Sequence, residues 1–203
     1  MFPLLLSKII HTDKLLFLHL VTQKTRIYTF LNPVSYLIAL ENKSLFEQFD
    51  GIFADGSLLV SAIRLVYGKR VTRRSFDMTS LAPELLNYLM ESRKTLYIVA
   101  SGQEQVECSV RIFQEQYPEL RIAGFRNGYF SSDAEMNKEA SHIVELNPDF
   151  LIVGMGALMQ EKFLLKVKKM GYQGIGFTCG GFVHQTAMNR MHLQPDLDRC
   201  LPC

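Results

Sequence analysis

No excess of charge of one sign runs through this sequence. Its 203 residues carry 22 Lys and Arg against 20 Asp and Glu, a formal net charge of +2. The balance excludes the basic stripe by which nucleic acid is bound, so no nucleic-acid partner is expected. A membrane-length apolar run is lacking as well. Lys8, His11 and Asp13 interrupt the apolar start, and the run 15–21 is too short to span a bilayer. Without a basic segment ahead of an apolar core no secretory leader is expected, and a cytoplasmic location is expected. In that compartment the four cysteines read as thiols rather than as a disulfide framework. Cys200 and Cys203 form a C-x-x-C with Pro202 between them, but no second pair follows, so no metal role is expected. Internal repeats, low-complexity tracts and Gly/Ser linkers are also missing, which leaves one compact unit as the expected organisation.

What the sequence has is apolar material for one core, with 48% hydrophobic and 21% charged residues. Short apolar runs at 26–31, 49–54, 95–100, 120–125, 150–153 and 174–178 alternate with amphipathic stretches. This pattern predicts an α/β fold: a Rossmann-like parallel sheet of about six strands with helices on both faces. Leu59, Ala62, Ile63 and Val66 share one helical face, as do Val106, Val110, Phe113 and Tyr117, with Pro118 as a stop. Ser132 three residues before Glu135 has the spacing of a capping box, and Asn147-Pro148 closes that helix. A single domain over 1–190 is expected, followed by an irregular tail over 191–203 with neither helical nor strand periodicity.

In an open parallel sheet ligands bind beyond the carboxyl ends of the strands, so the residues that follow each strand are the candidates. Asp55 follows an apolar run and precedes Gly56, which suits a carboxylate at the mouth of a site and suits equally a helix N-cap. Ser101-Gly102, Gly154-Met155-Gly156-Ala157 and Gly180-Gly181 are the other strand exits. The turn at Gly154 has Met159 in the third glycine position, and no acidic residue stands between Glu161 and Asp196. Both facts count against a nicotinamide cofactor, although fold alone would allow a nicotinamide-dependent oxidoreductase. Asp196-Leu197-Asp198 has the D-x-D form of a metal-chelating pair, but on a proline-flanked tail it reads as solvated. His184 and Gln185 could bond a sugar or phosphate, or pack as an ordinary loop. Cys108 and Cys179 read as small buried side chains.

Taken in order, Thr29-Phe30-Leu31-Asn32-Pro33, Phe53-Ala54-Asp55-Gly56, Ser75-Phe76-Asp77-Met78-Thr79, Asn127-Gly128-Tyr129-Phe130, Gly154-x-Gly156-x-x-x-Gln160-Glu161 and Gly180-Gly181-Phe182 resemble the motif set of the WecG/TagA/CpsF glycosyltransferases. The resemblance covers about residues 24–190. It implies an inverting transfer of a sugar, of N-acetylmannosamine type or another hexose, from a UDP-sugar to a polyprenyl-diphosphate-linked saccharide. That chemistry belongs to cell-surface polysaccharide synthesis at the inner membrane face, with peripheral membrane contact. Asp55 would be the general base. Thr29, Asn32, Asp77, Gln160, Glu161, His184 and Gln185 would contact substrate. Ser101, Gly102, Gly128, Tyr129, Gly156, Gly180 and Gly181 would face the nucleotide. Arg73 or Arg74 would stabilise the diphosphate, unless both belong to a solvated cluster with Lys69 and Arg70. No metal or other cofactor is expected.

The sequence departs from the family pattern at Ala157 to Met159, where proline and lysine are usual. The family's arginine-rich C-terminal appendage is also not seen before Cys203. A non-catalytic nucleotide-sugar-binding module is therefore the rival reading. The oligomeric state is left open, with a homo-oligomer admitted.

Overall fold

The structure, a computed structural model, describes residues 7–10, 21–23 and 25–193. The readings on 1–6, on 15–20, on Asp196 and Asp198, and on Cys200 and Cys203 lie outside the described residues.

Six parallel strands form one sheet: β1 (Arg26–Leu31), β2 (Gly51–Ala54), β3 (Thr95–Ala100), β4 (Arg121–Arg126), β5 (Phe150–Gly154) and β6 (Ile175–Thr178), in the order β2-β1-β6-β5-β3-β4. The helices are α1 (Pro33–Glu41), α2 (Lys43–Phe46), α3 (Ser57–Tyr67), α4 (Leu81–Glu91), α5 (Gln103–Gln116), α6 (Asp133–Leu146), α7 (Met159–Lys169) and α8 (Phe182–Leu193). The expected α/β fold is the observed one. The apolar runs became strands because helices cover them on both sides, so β2, β5 and β6 are buried at every residue.

On one face α4, α5 and α8 pack against Tyr28, Phe53, Ile98, Ile152 and Phe177. On the other, α6 and α7 cover Ile27, Val99, Leu151 and Val153. Beside them α1, α2 and α3 close over Leu31, Ile52 and Ala54. The free edge of β2 meets Ile9 in a parallel bridge, and the Ile10 N–H donates to the Ile52 carbonyl at 2.9 Å. That pairing shields an otherwise open edge.

Local signals set the helix ends. Asn32 caps α1 in a reciprocal box with Ser35, ahead of Pro33. Ser132 caps α6 through the Glu135 N–H, but the Glu135 carboxylate turns instead to Ser131 and Arg126. Asn147 ends α6 in the left-handed region at φ 46°.

Two expectations need correction. In α3 the core takes Leu59 and Ile63 while Ala62 and Val66 face outward, because the apolar stripe is wider than the face that docks. The final helix runs on to Leu193, three residues beyond Arg190, where the irregular tail was expected to begin.

The central strands come close at their carboxyl ends. A Cβ on Gly154 would stand 2.6 Å from the Gly180 carbonyl oxygen and 2.7 Å from the Cys179 Sγ. Backbone cannot yield as a flexible side chain can, so Gly154→Ala is expected to lower stability by about 1–3 kcal/mol, measured by denaturant unfolding.

Candidate active site

Every strand of a parallel sheet sends its chain out at the same edge, and here that edge is hollowed into a cavity of about 1230 Å³. The strand order reverses between β3, whose connection leads outward to β4, and β5, whose connection leads back to β6. A crevice at such a switch point is where open α/β sheets receive ligands. Ser101 and Gly102 form one lip of it, and Gly154, Met155 and Gly156 the other. Ser101 holds a left-handed φ of 54°, rare for a residue with a side chain, with its N–H on the Gly154 carbonyl and its own carbonyl on Gly128 N–H.

Asp55 lines the cavity at the β2 exit. It is not a helix cap. The N-cap of α3 is Gly56 at φ 88°, with no side-chain cap bond, and the Asp55 carboxylate accepts the Gly56 N–H while lining the cavity. Burial pushes its pKa above the usual aspartate value, the Arg73 charge pulls against that shift, and neighbouring Asp77 adds to it. Asp77 goes the other way. Burial opposes it, but bonds from Ser75 and Thr79 and the Arg73 charge hold its carboxyl below the usual value.

Asn32, Asp77, Gln160, His184 and Gln185 also line the cavity, as do Gly128, Tyr129, Gly180 and Gly181. Tyr129 stands on the rim and is 74% exposed. The loop beneath it is fixed by Arg126, which bonds the Asn127 and Tyr129 carbonyls and stacks at 4.0 Å on the Phe130 ring.

Four of the residues read as substrate contacts stand back from the cavity. Arg74 donates to Glu84 at 2.9 Å and has its side chain 11% exposed, so its guanidinium serves α4 instead. Arg73 bonds the Ser75 Oγ at 3.0 Å and lies 3.6 Å from Asp77, with its side chain 47% exposed. Thr29 and Glu161 are buried in the sheet, Glu161 with only 1% of its surface exposed.

Glu161 and Thr29 instead build the floor. Glu161 Oε1 accepts from Thr29 Oγ1 and from Gln160 Nε2, both at 2.9 Å. The Thr29 hydroxyl also meets Thr178 Oγ1 at 2.9 Å, and Gln160 Oε1 accepts the Gly180 N–H at 3.1 Å. One carboxyl thus ties β1 and β6 to the start of α7 and, through Gln160, to the glycine turn at the cavity wall. Burial raises the Glu161 pKa against the bonds from Gln160 and Thr29, and Oε2 has no partner.

Sequence reasoning passed over Gln105 and the Ser131–Asp133 stretch, which also line the cavity. The Ser132 capping signal placed that serine at a helix start, and in a parallel sheet helix starts share the ligand edge. Among the described residues no Lys or Arg side chain lines the cavity, but α6, α7 and α8 begin at lining residues, and α1 and α5 begin next to the lining residues Asn32 and Gly102. Their free N–H groups give the rim partial positive charge. Cys179 lies in the floor, its thiol pushed up to about 12 by burial, and with Cys108 is a free buried cysteine, as expected. Among the described residues no helix is long and apolar enough to cross a membrane.

The Glycosyl transferase WecG/TagA/CpsF family model matches residues 12–191. A Shigella boydii protein named UDP-Gal:alpha-D-GlcNAc-diphosphoundecaprenol beta-1,4-galactosyltransferase is 32% identical over 175 residues, covering 86% of this chain and 73% of the relative. A Bacillus subtilis (strain 168) protein named N-acetylglucosaminyldiphosphoundecaprenol N-acetyl-beta-D-mannosaminyltransferase is 24% identical over 168 residues. That match covers 80% of this chain and 63% of the relative's length.

A group whose folded pKa is raised gives its full stabilisation below the unfolded value and loses it as pH rises through the folded one. Glu161→Gln cannot ionise and keeps the Oε1 acceptor. Melting curves taken from about pH 4 to about pH 8 are expected to show wild type losing stability relative to Glu161→Gln as pH rises.

Proposed function

The chain belongs to the WecG/TagA/CpsF family of glycosyltransferases, and we propose that it moves a hexose from a UDP-sugar to a polyprenyl-diphosphate-linked saccharide with inversion, Asp55 acting as general base. The observation that carries this reading is the placement of Asp55, a partly buried carboxylate of raised pKa, in the same cavity as a glycine-lined switch-point crevice.

The donor's nucleotide lies across the β3/β5 lips, with the uracil against Tyr129 and the diphosphate toward the helix starts, where free N–H groups meet its charge. The sugar then reaches along the sheet toward Asn32 and Asp55. An acceptor hydroxyl gives its proton to the Asp55 carboxylate while its oxygen bonds to the anomeric carbon. The bond from that carbon to the diphosphate oxygen breaks on the opposite face, and UDP leaves with the electron pair. Raised basicity suits Asp55 to take a proton, whereas Asp77, held ionised and bonded in its own loop, positions Ser75 and Thr79.

Both relatives carry a β-linked sugar and an N-acetylglucosaminyl-diphosphoundecaprenol acceptor in their names. UDP-hexoses are α-linked, so a β product is what a single displacement yields. UDP-galactose and UDP-N-acetylmannosamine are accordingly the first donors to try. A lipid-linked acceptor is in keeping with work at a membrane, and the inner face is part of this proposal. No metal step is part of this mechanism.

The test is UDP release with a UDP-sugar panel and a polyprenyl-diphosphate-linked N-acetylglucosamine. Asp55→Asn is expected to lose roughly a hundredfold or more, as removal of a general base does, while keeping UDP binding. Undiminished turnover in that variant rules out the assigned base. Binding without release in wild type supports the non-catalytic module instead. Because the Arg73 charge lowers the Asp55 pKa, Arg73→Gln is expected to move the acid limb of the pH–rate profile to higher pH.

A further inference from the structure

The two helices that begin beside Asn32 and Asp55 are apolar on their outer faces. On α1, Val34 is 69% exposed and Leu37 63%. On α3, Leu58 is 69% exposed, Leu65 86% and Val66 66%, with Ala62 exposed between them. Positions 58, 62, 65 and 66 lie on one helical face, and 34 and 37 do so on the neighbouring helix. The helices are packed side by side, Tyr36 and Leu40 of α1 sharing a cluster with Leu59, Ile63 and Tyr67 of α3. Each helix thus turns its other side, with these exposed residues, away from the shared cluster. Soluble surfaces carry single exposed leucines freely, but a contiguous set of this kind marks a contact.

The charges around the set point to its partner. Arg64, Lys69 and Arg70 flank the α3 end, are exposed, and make no ion pair among the described residues, whereas Glu41 is the single carboxylate on the two helices. Apolar side chains flanked by unpaired cations match an anionic bilayer, where the leucines enter the acyl boundary and the cations meet headgroup phosphates. The location fits as well. Val34 follows the cavity residue Asn32 by two positions and Leu58 follows Asp55 by three, so the surface starts at the cavity rim and runs about 10 Å along α3 from Leu58 to Leu65.

We propose that the outer faces of α1 and α3 rest on an anionic lipid surface, so that a membrane-held acceptor emerges beside Asp55. This rests on the lipid-linked acceptor of the proposed function and adds the face of the molecule that meets the bilayer.

The experiment is co-sedimentation of the full chain with vesicles of phosphatidylcholine alone and of equal parts phosphatidylcholine and phosphatidylglycerol. Wild type is expected to sediment with the mixed vesicles, less so with rising salt. Leu65→Glu/Val66→Glu and Lys69→Glu/Arg70→Glu are each expected to cut binding about tenfold or more, with melting temperatures unchanged. No wild-type binding, or equal binding by both variants, overturns the proposal. So does a Leu65→Glu/Val66→Glu protein that binds vesicles normally but changes from dimer to monomer by light scattering, since the surface would then join two copies. UDP release with a short-chain, water-soluble acceptor separates the two claims. Both variants should match wild type there, and wild-type inactivity on that acceptor in solution would count against the transferase reading whatever the vesicles show.

Discussion

The carboxyl of Glu161, shut away from water beneath the cavity, is the interaction on which the site depends. Parallel strands are joined only through long crossovers, so nothing local in sequence fixes how their carboxyl ends line up. Here a single acceptor oxygen takes hydrogen bonds from Thr29 on β1 and from Gln160 at the head of α7, and Thr29 links on to Thr178 of β6. Gln160 in turn holds the Gly180 N–H at the cavity wall. A buried polar network of this kind is costly when half satisfied and rigid when complete. With Oε2 unpartnered the network is not complete, and its Oε1 bonds are what tie the strands together under the cavity.

Above that floor the site divides its charges. Asp55 and Asp77 are neighbours in one cavity, yet burial raises one while Ser75, Thr79 and Arg73 hold the other down. Two carboxylates driven apart in this way can hold different roles, one accepting a proton and one remaining a fixed anion that shapes its loop. Arg73 touches both fields, which makes it a tuning residue rather than a direct ligand. In the proposed transfer, charge on the departing diphosphate is met by the helix starts collected along the edge.

Much of the fold was legible because each buried strand is a short apolar run bounded by turn chemistry. Strands β1 and β3 begin and end where the sequence pattern places them, and the cavity gathers Asp55, Asn32, Gln160 and the glycine turns from six separate exits. What stayed hidden has a common cause. Thr29, Glu161 and Arg74 look like site residues in a motif string, but whether a polar side chain faces a ligand or a neighbour 132 residues away is decided by packing. Likewise α3 carries more apolar surface than its core face uses, so periodicity alone grouped Ala62 and Val66 with Leu59 and Ile63, the two that the fold buries.

The account turns on a single displacement promoted by Asp55, and the configuration of the product reports on that step without reference to rate. Proton NMR of the disaccharide formed from an α-linked UDP-hexose should show a β linkage at the new anomeric centre. An α-linked product would mean retention, and with it a mechanism in which Asp55 is not the base.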